Sequence, residues 1–350
     1  MDMYSLLQEM KERDTSDLHI VAGVPPVFRI NGDLKFSEGE NITAEDSKSL
    51  IYSLMNEKQK GELEKNRELD FSFNIEKTGR FRINVHFQRG SIAAAIRRIP
   101  DYISSLSELN LPPILSELAL KEKGLVLVTG PTGCGKSTTL ASMINIINEK
   151  RSAHIIIMED PIEYIHSHKK SVIEQREVGR DTLSFAASLK YCLRQDPDVI
   201  LIGEMRDLET IAIAITAAET GHLVLATLHT PDAPQAIDRI VDVFPPFQQS
   251  QIKMGLSGTL EGIIAQTLLL KKNGEGRVPA VELLIATPGV RNLIRTGKTY
   301  QLYTAMQTGT QFGMQTMDQA LKNLVKRGLI SFETALLRAK DRKNFRDSLR

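Results

Sequence analysis

The chain has 350 residues, more than one ordinary core takes up, so about two domains are expected. Hydrophobic residues make up 41% and charged residues 25%, as in globular proteins, and the formal net charge of +1 lacks the basic footprint of a dedicated nucleic-acid binder. No apolar run approaches the roughly 18 residues of a membrane span, and residues 1–13 lack a signal-peptide core, so a cytoplasmic protein is expected.

Residues 3–13 read as a short helix. Residues 17–29 read as two short strands around Gly23-Val24-Pro25-Pro26, which is turn chemistry. Residues 43–63 have helical spacing, with Leu50, Ile51, Leu54 and Met55 on one stripe. Residues 71–73, 81–87 and 92–99 read as strands separated by Gly79 and Gly90. Residues 1–100 thus predict an N-terminal α+β domain, and residues 101–111, with Ser104, Ser105 and Ser107, a linker. Pro112-Pro113 then opens a helix. Apolar strands are expected at 125–129, 154–158, 198–203 and 222–228, with helices at 183–194 and 208–220 between them. That alternation predicts a parallel sheet covered on both faces, an α/β domain over residues 112–287. Residues 288–350 read as mostly helical.

Gly130-Pro131-Thr132-Gly133-Cys134-Gly135-Lys136-Ser137 fits the phosphate-loop pattern, and a strand precedes it while a helix follows. The glycines let backbone N–H groups turn towards phosphate oxygens, and the helix start directs its positive end at them. Lys136 is placed to reach the β- and γ-phosphates of ATP, Ser137 to ligate Mg²⁺ and Thr138 to support the α-phosphate. Cys134 is unconstrained by the pattern; a helix N-terminus lowers a thiol's pKa, but passive filling is the preferred reading. The only other cysteine is Cys192. Two cysteines cannot make a four-cysteine zinc site, and a reducing compartment argues against a disulfide.

Ligands of open α/β sheets sit at the carboxyl ends of strands, where two other strands deliver acids. One ends in Glu159-Asp160-Pro161-Ile162-Glu163, the other in Gly203-Glu204. Hydrolysis needs a carboxylate to orient or deprotonate water, and acids to hold Mg²⁺ through its waters. Glu204 stands where that metal-side acid belongs, although the Asp that usually precedes it is Gly203 here. Glu163 is the preferred general base. His222 and His229 flank one strand, about 23 Å apart at about 3.3 Å per residue, too far to share a metal. His229, at the carboxyl end, is placed to sense the γ-phosphate; His222 has no evident role. His166-x-His168 reads as a solvated loop. Arg80, Arg82, Arg89, Arg97 and Arg98 read either as a solvated basic sheet face or as arginine fingers supplied by a second domain or subunit.

Together these segments resemble the type II/IV secretion ATPase superfamily, and within it the pilus-retraction branch. Ser16-Asp17-Leu18-His19 with Gly23-Val24-Pro25-Pro26, the acidic stretch 159–164, Leu201–Asp207 and the two segments 220–222 and 227–230 are similar to the family's successive motifs. The resemblance implies a PAS-like N-terminal domain, a RecA-like ATPase domain and a homohexameric ring with nucleotide between the two domains. It also implies that Glu163 and Glu204 are catalytic acids with His229 a further catalytic residue, that Asp160 and His222 are motif residues, and that Arg82, Arg89 and Arg97 are the fingers. Gly289-Val290-Arg291-Asn292-Leu293-Ile294-Arg295 resembles the retraction motif, departing conservatively at its first two positions. Gly313-Met314-Gln315-Thr316 is similar to the same branch. Extension and secretion members usually carry a four-cysteine zinc element, which this sequence lacks. The implied partners are other copies of the chain and an inner-membrane pilus platform protein, with no nucleic acid, at the cytoplasmic face of that membrane. A retraction-ATPase paralogue, a RecA-like nucleic-acid translocase and a nucleotide-gated regulatory subunit are the competing readings.

Overall fold

The computed structural model describes residues 2–13, 15–30, 33–76, 78–100, 102–274 and 276–348; Asp101, at the head of the expected linker, and the terminal Met1, Leu349 and Arg350 lie outside them. The chain divides into two compact units, Met1–Tyr102 with Glu163–Ile165, and Ile103–Ile162 with His166–Arg350.

The first unit is α+β. It runs α1 (Met3–Glu12), β1 (Asp17–Ile20), β2 (Val27–Ile30), β3 (Asp33–Phe36), α2 (Ala44–Tyr52), α3 (Glu57–Asn66), β4 (Glu68–Ile75), β5 (Gly79–Gln88) and β6 (Ser91–Ile99). The strands form one antiparallel sheet in the order β3-β2-β1-β6-β5-β4. Alternation divides β5 between two faces: Phe81, Ile83 and Val85 are buried, whereas Arg80 and Arg82 stay half-exposed. The helical stretch expected over 43–63 is two helices. Its apolar stripe is buried throughout, so periodicity alone runs across the break. Asn56 decides it: its side chain accepts from Gln59 N at 2.9 Å and Gln59 Oε1 accepts from Asn56 N at 2.9 Å, a capping box that starts a new helix. Strand β3 escapes sequence reading because it is only four residues long; Asp33-Leu34-Lys35-Phe36 does alternate polar and apolar residues, yet all four are exposed.

The second unit is α/β. It runs α4 (Ile114–Ala119), β7 (Gly124–Thr129), α5 (Lys136–Lys150), β8 (His154–Glu159), β9 (Val172–Glu177), α6 (Phe185–Cys192), β10 (Val199–Ile202), α7 (Leu208–Glu219) and β11 (Leu223–Leu228). Then come α8 (Ala233–Asp242), α9 (Pro246–Thr259), β12 (Leu260–Leu270), β13 (Arg277–Ile285), α10 (Pro288–Arg295), α11 (Leu302–Thr308), α12 (Met317–Lys326), α13 (Phe332–Arg338) and α14 (Arg342–Asp347). The seven-stranded sheet has the order β13-β12-β7-β11-β10-β8-β9. Every residue of β7, β10 and β11 is buried, as strands covered on both faces require. Successive residues feed two cores. Leu125, Leu127, Ile200, Val224 and Ala226 pack with α6–α11, while Val126, Val128, Val199, Leu223 and Leu225 pack with α4 and α5. The sheet is mixed rather than wholly parallel, because β13 returns antiparallel to β12 through a hairpin. Strand β9, residues Val172–Glu177, was also unassigned from sequence, since charged and polar residues interrupt its apolar ones. Among the described residues no helix is long and apolar enough to cross a membrane.

Candidate active site at the strand ends

Strand β7 delivers the phosphate loop. Its last residue, Thr129, bonds through Oγ1 to Thr230 O at 2.6 Å and Thr230 Oγ1 at 2.7 Å, fixing the loop's start against the segment after β11. Gly130 turns at φ 142°, and a Cβ there would lie 2.3 Å from Gln266 O, so both conformation and space demand glycine. Gly135, at φ 89°, is the N-cap of α5 and provides no side-chain cap, which leaves the helix's first N–H groups for a ligand. Lys136 is buried, with Nζ donating to Gly130 O at 2.9 Å and Pro131 O at 3.3 Å, so its ammonium lies across the loop. Pro131, Thr132 and Gly133 are exposed, and Ser137 and Thr138 half-buried in the first turn of α5. Cys134 is buried, and that burial pushes its thiol pKa up, opposite to what the helix start alone would do. It therefore lacks the thiolate character of a redox-sensitive cysteine. Cys192 is likewise buried and free, pushed up to about 11 by burial.

Glu204 follows β10, and His229 follows the neighbouring β11. The structure brings these two together: Glu204 Oε1 lies 3.2 Å from His229 Nε2, while Oε2 accepts from Arg206 Nη2 at 2.7 Å. Burial raises the Glu204 pKa, but the bond to Arg206 and the charges of His229 and Arg206 outweigh it, leaving the carboxyl below its ordinary range. Glu204 is thus ionised near neutral pH. The Thr227 hydroxyl donates to Gly203 O and Met205 N donates to Thr227 O at 3.1 Å, which pins the turn carrying Glu204. Gly203 also has a reason. A Cβ there would stand 3.1 Å from Met158 O and 3.2 Å from Glu159 Cα, so β8 crowds out the aspartate usual at this position. Asp160, exposed just past β8, acts electrostatically on Arg206.

His222 sits at the opposite end of β11, its Nδ1 2.9 Å from Ala217 O and 3.2 Å from Thr220 Oγ1, a contact that closes the end of α7. His166 and His168 are not a simple solvated pair. Burial drives the His166 pKa down to about 4, and His168 Nδ1 accepts from Ile173 N at 3.1 Å. Among the described residues no group of three or more His, Cys, Asp or Glu is placed to hold a metal ion.

The arginines and Glu163 belong to the first unit. Arg82 and Arg97 face one another in register across β5 and β6, and such like-charged neighbours repel. Carboxylates offset this: Arg97 Nε donates to Asp17 Oδ1 at 2.8 Å, and Arg82 Nε lies 4.0 Å from Asp70 Oδ1. Arg89 is exposed at the β5–β6 turn with φ 48°. Glu163 is exposed.

The segment from Gly289 to Arg295 lies on α10 and divides by role. Val290 and Ile294 are buried and Leu293 packs against the same core, while Asn292 and Arg295 are exposed and bonded to each other at 2.8 Å. Arg291 turns inwards. It donates to Ala286 O at 3.0 Å, Ser257 O at 3.0 Å, Gly258 O at 2.8 Å and Glu261 Oε1 at 2.7 Å. Lys121 reaches the other Glu261 oxygen at 3.1 Å. Three residues were given no role by the sequence: Arg206 and Gln266 at the site, and Glu261 beneath α10. Arg206 had a signal, lying two positions after Glu204; the other two act across the fold and had none.

A glycine-turned loop leading into α5, with Glu204 and His229 paired at neighbouring strand ends, defines a P-loop ATPase. Residues 5–337 match the family described as Type II/IV secretion system protein, and the chain belongs to that family. It is 48% identical over 345 residues to the Type IV pilus retractation ATPase PilT of Pseudomonas aeruginosa, covering 99% of this chain and 100% of that one. It is 49% identical over 337 residues to the twitching motility protein of Neisseria gonorrhoeae, covering 96% and 90%. Its fold matches the crystal structure of the pilus retraction motor PilT and bound ADP with a TM-score of 0.92, 52% identity and 98% of both chains covered.

Proposed function

We propose that this chain hydrolyses ATP to drive retraction of type IV pili, working as a homohexamer against an inner-membrane platform protein at the cytoplasmic face. The observation that carries this reading is Glu204, held ionised between His229 and Arg206 at the end of β10, one strand beyond the β11 that neighbours β7, in a chain so similar to PilT along its length. In the reaction the loop N–H groups and Lys136 hold the β- and γ-phosphates. Lys136 exchanges its bonds to Gly130 O and Pro131 O for phosphate oxygens. Glu163 takes the proton of the attacking water. Oxygen bonds to the γ-phosphorus, the bond to the β-phosphate oxygen breaks, and ADP, inorganic phosphate and a proton leave. Glu204 and His229 report on the γ-phosphate. Ser137, in the first turn of α5, and Glu204 fit a Mg²⁺ ion held largely by water and nucleotide oxygens, which would neutralise charge on the phosphates. Arg82, Arg89 and Arg97 complete the site, and α10 passes the change on to the pilus machinery.

The test is deletion of the gene in its own organism, scored for pilus number and twitching. Abundant, static pili are expected, with rescue by the native gene but not by Lys136→Ala. Bald cells overturn the reading in favour of extension, and unchanged pili and twitching overturn it outright. DNA-stimulated turnover of the purified protein would instead favour a nucleic-acid translocase.

A further inference from the structure

Gln266 is a polar side chain only 1% exposed, on a strand distant in sequence from the phosphate loop, and it touches that loop at both ends. Its backbone O lies against Gly130, where an added Cβ would come within 2.3 Å. Its side chain packs on Gly135, where an added Cβ would stand 3.2 Å from Nε2. Nε2 donates to Cys134 O at 2.7 Å, and Oε1 accepts from Thr139 Oγ1 at 2.9 Å, one turn into α5. Strand pairing fixes where Gln266 starts: the preceding residue, Ala265, pairs with Thr129 on β7, and Gln266 itself pairs with Val281 on β13.

The bond to Cys134 has a directional consequence. A trans peptide is planar, with C=O and N–H pointing opposite ways. Holding Cys134 O towards β12 therefore turns the Gly135 N–H away from β12. We infer that Gln266 is a positioning residue for nucleotide binding: its amide holds the Cys134–Gly135 peptide in the one orientation that presents the Gly135 N–H to a nucleotide phosphate. This rests on the ATPase reading above and deepens it, since it assigns loop geometry to a residue outside the loop. Cys134 O, which can only accept, sets which way the amide faces. With the NH₂ group meeting Cys134 O, Oε1 is left to accept from the Thr139 hydroxyl, which rotates to suit.

Glutamate tests the donor directly. Gln266→Glu keeps the shape, but its ionised carboxylate cannot donate to Cys134 O, whereas the protonated acid can. Burial raises a carboxyl's pKa, so protonation comes within reach of mildly acidic buffer. Gln266→Met removes the donor at every pH. Binding of Mg-ADP is measured for both variants and the native chain near pH 8 and near pH 5.5, with thermal melting to establish folding. Each variant is compared with the native chain at the same pH, so the nucleotide's own titration cancels. Near pH 8 both variants are expected to bind about 10- to 100-fold more weakly. Near pH 5.5 the glutamate variant is expected to recover to within about threefold of native while the methionine variant stays weak. Native-like binding by the folded methionine variant near pH 8, or by the glutamate variant at a pH where titration shows its carboxyl ionised, overturns the role of Gln266. Failure of the native chain to bind ADP overturns the ATPase reading itself.

Discussion

The phosphate loop and the arginine face of the first unit's sheet are both polar, yet they are held in opposite ways. The loop is bonded to main chain and buried amide: Lys136 to Gly130 O and Pro131 O, Cys134 O to Gln266, Thr129 to Thr230. The three candidate fingers are held more loosely: Arg97 reaches the buried Asp17 with two-thirds of its own side chain exposed, Arg82 stands 4.0 Å from the exposed Asp70, and Arg89 is exposed. Exposed ion pairs contribute under about 1 kcal/mol and exchange partners cheaply. A group bonded into the fold is ready before substrate arrives, whereas a group on a loose pair is free to change partners when a phosphate is offered.

The contrast can be broken by experiment, starting with the largest expected effect. Lys136→Ala should lower ATP turnover by about 10³-fold or more, with a loss of about 1 kcal/mol in stability from its two bonds to loop carbonyls, far too little to account for the lost turnover. A loss under about tenfold in steady-state assays would place the loop outside the reaction. Glu204→Gln keeps shape and removes charge. Turnover should fall by about 10²- to 10³-fold, with ADP affinity within about threefold of native. Arg89→Ala should cost turnover on the order of 10²-fold in the assembled protein and change stability by less than about 0.5 kcal/mol. Equal turnover in the variant would leave Arg89 an ordinary surface residue.

Arg291→Ala sharpens the comparison from the other side. Its four backbone and carboxylate bonds make it a fastening, so unfolding stability should drop by about 2 kcal/mol with turnover within about threefold of native. Denaturant titration beside a phosphate-release assay separates the two quantities. The smallest effect concerns His166, whose folded pKa of about 4 lies below the ordinary 6.5. The unfolded chain binds more protons between those values, so stability is whole above pH 6.5 and falls as pH drops towards 4. At pH 5.5 this amounts to about 1 kcal/mol, and a His166→Gln variant should lose that slope.

Legibility from sequence followed distance along the chain. The phosphate loop is contiguous, and its pattern carries its own context of strand and helix. Glu204 and His229 were readable because consecutive apolar strands place their ends on one edge of the sheet, although their direct contact was not. Gln266 acts on a residue 132 positions away, on a strand whose pairing no local pattern announced. Gly203 looked like a defect in a motif until the crowding by β8 explained it. The break between α2 and α3 was visible in principle, since Asn56 and Gln59 stand at capping-box spacing, but the apolar stripe outweighed that signal.

Strand β12 carries two of these fastenings. Near its start Glu261 grips Arg291 of α10, and five positions later Gln266 grips the phosphate loop. Between the anchors residues 262–265 pair with both β7 and β13, while the register shifts at Glu261, where β12 bulges, and five residues span roughly 17 Å. This stretch of β12 therefore has an anchor at each end, one on the phosphate loop and one on α10, and slow amide hydrogen exchange is expected along residues 262–265, which pair on both sides, with faster exchange at the bulge.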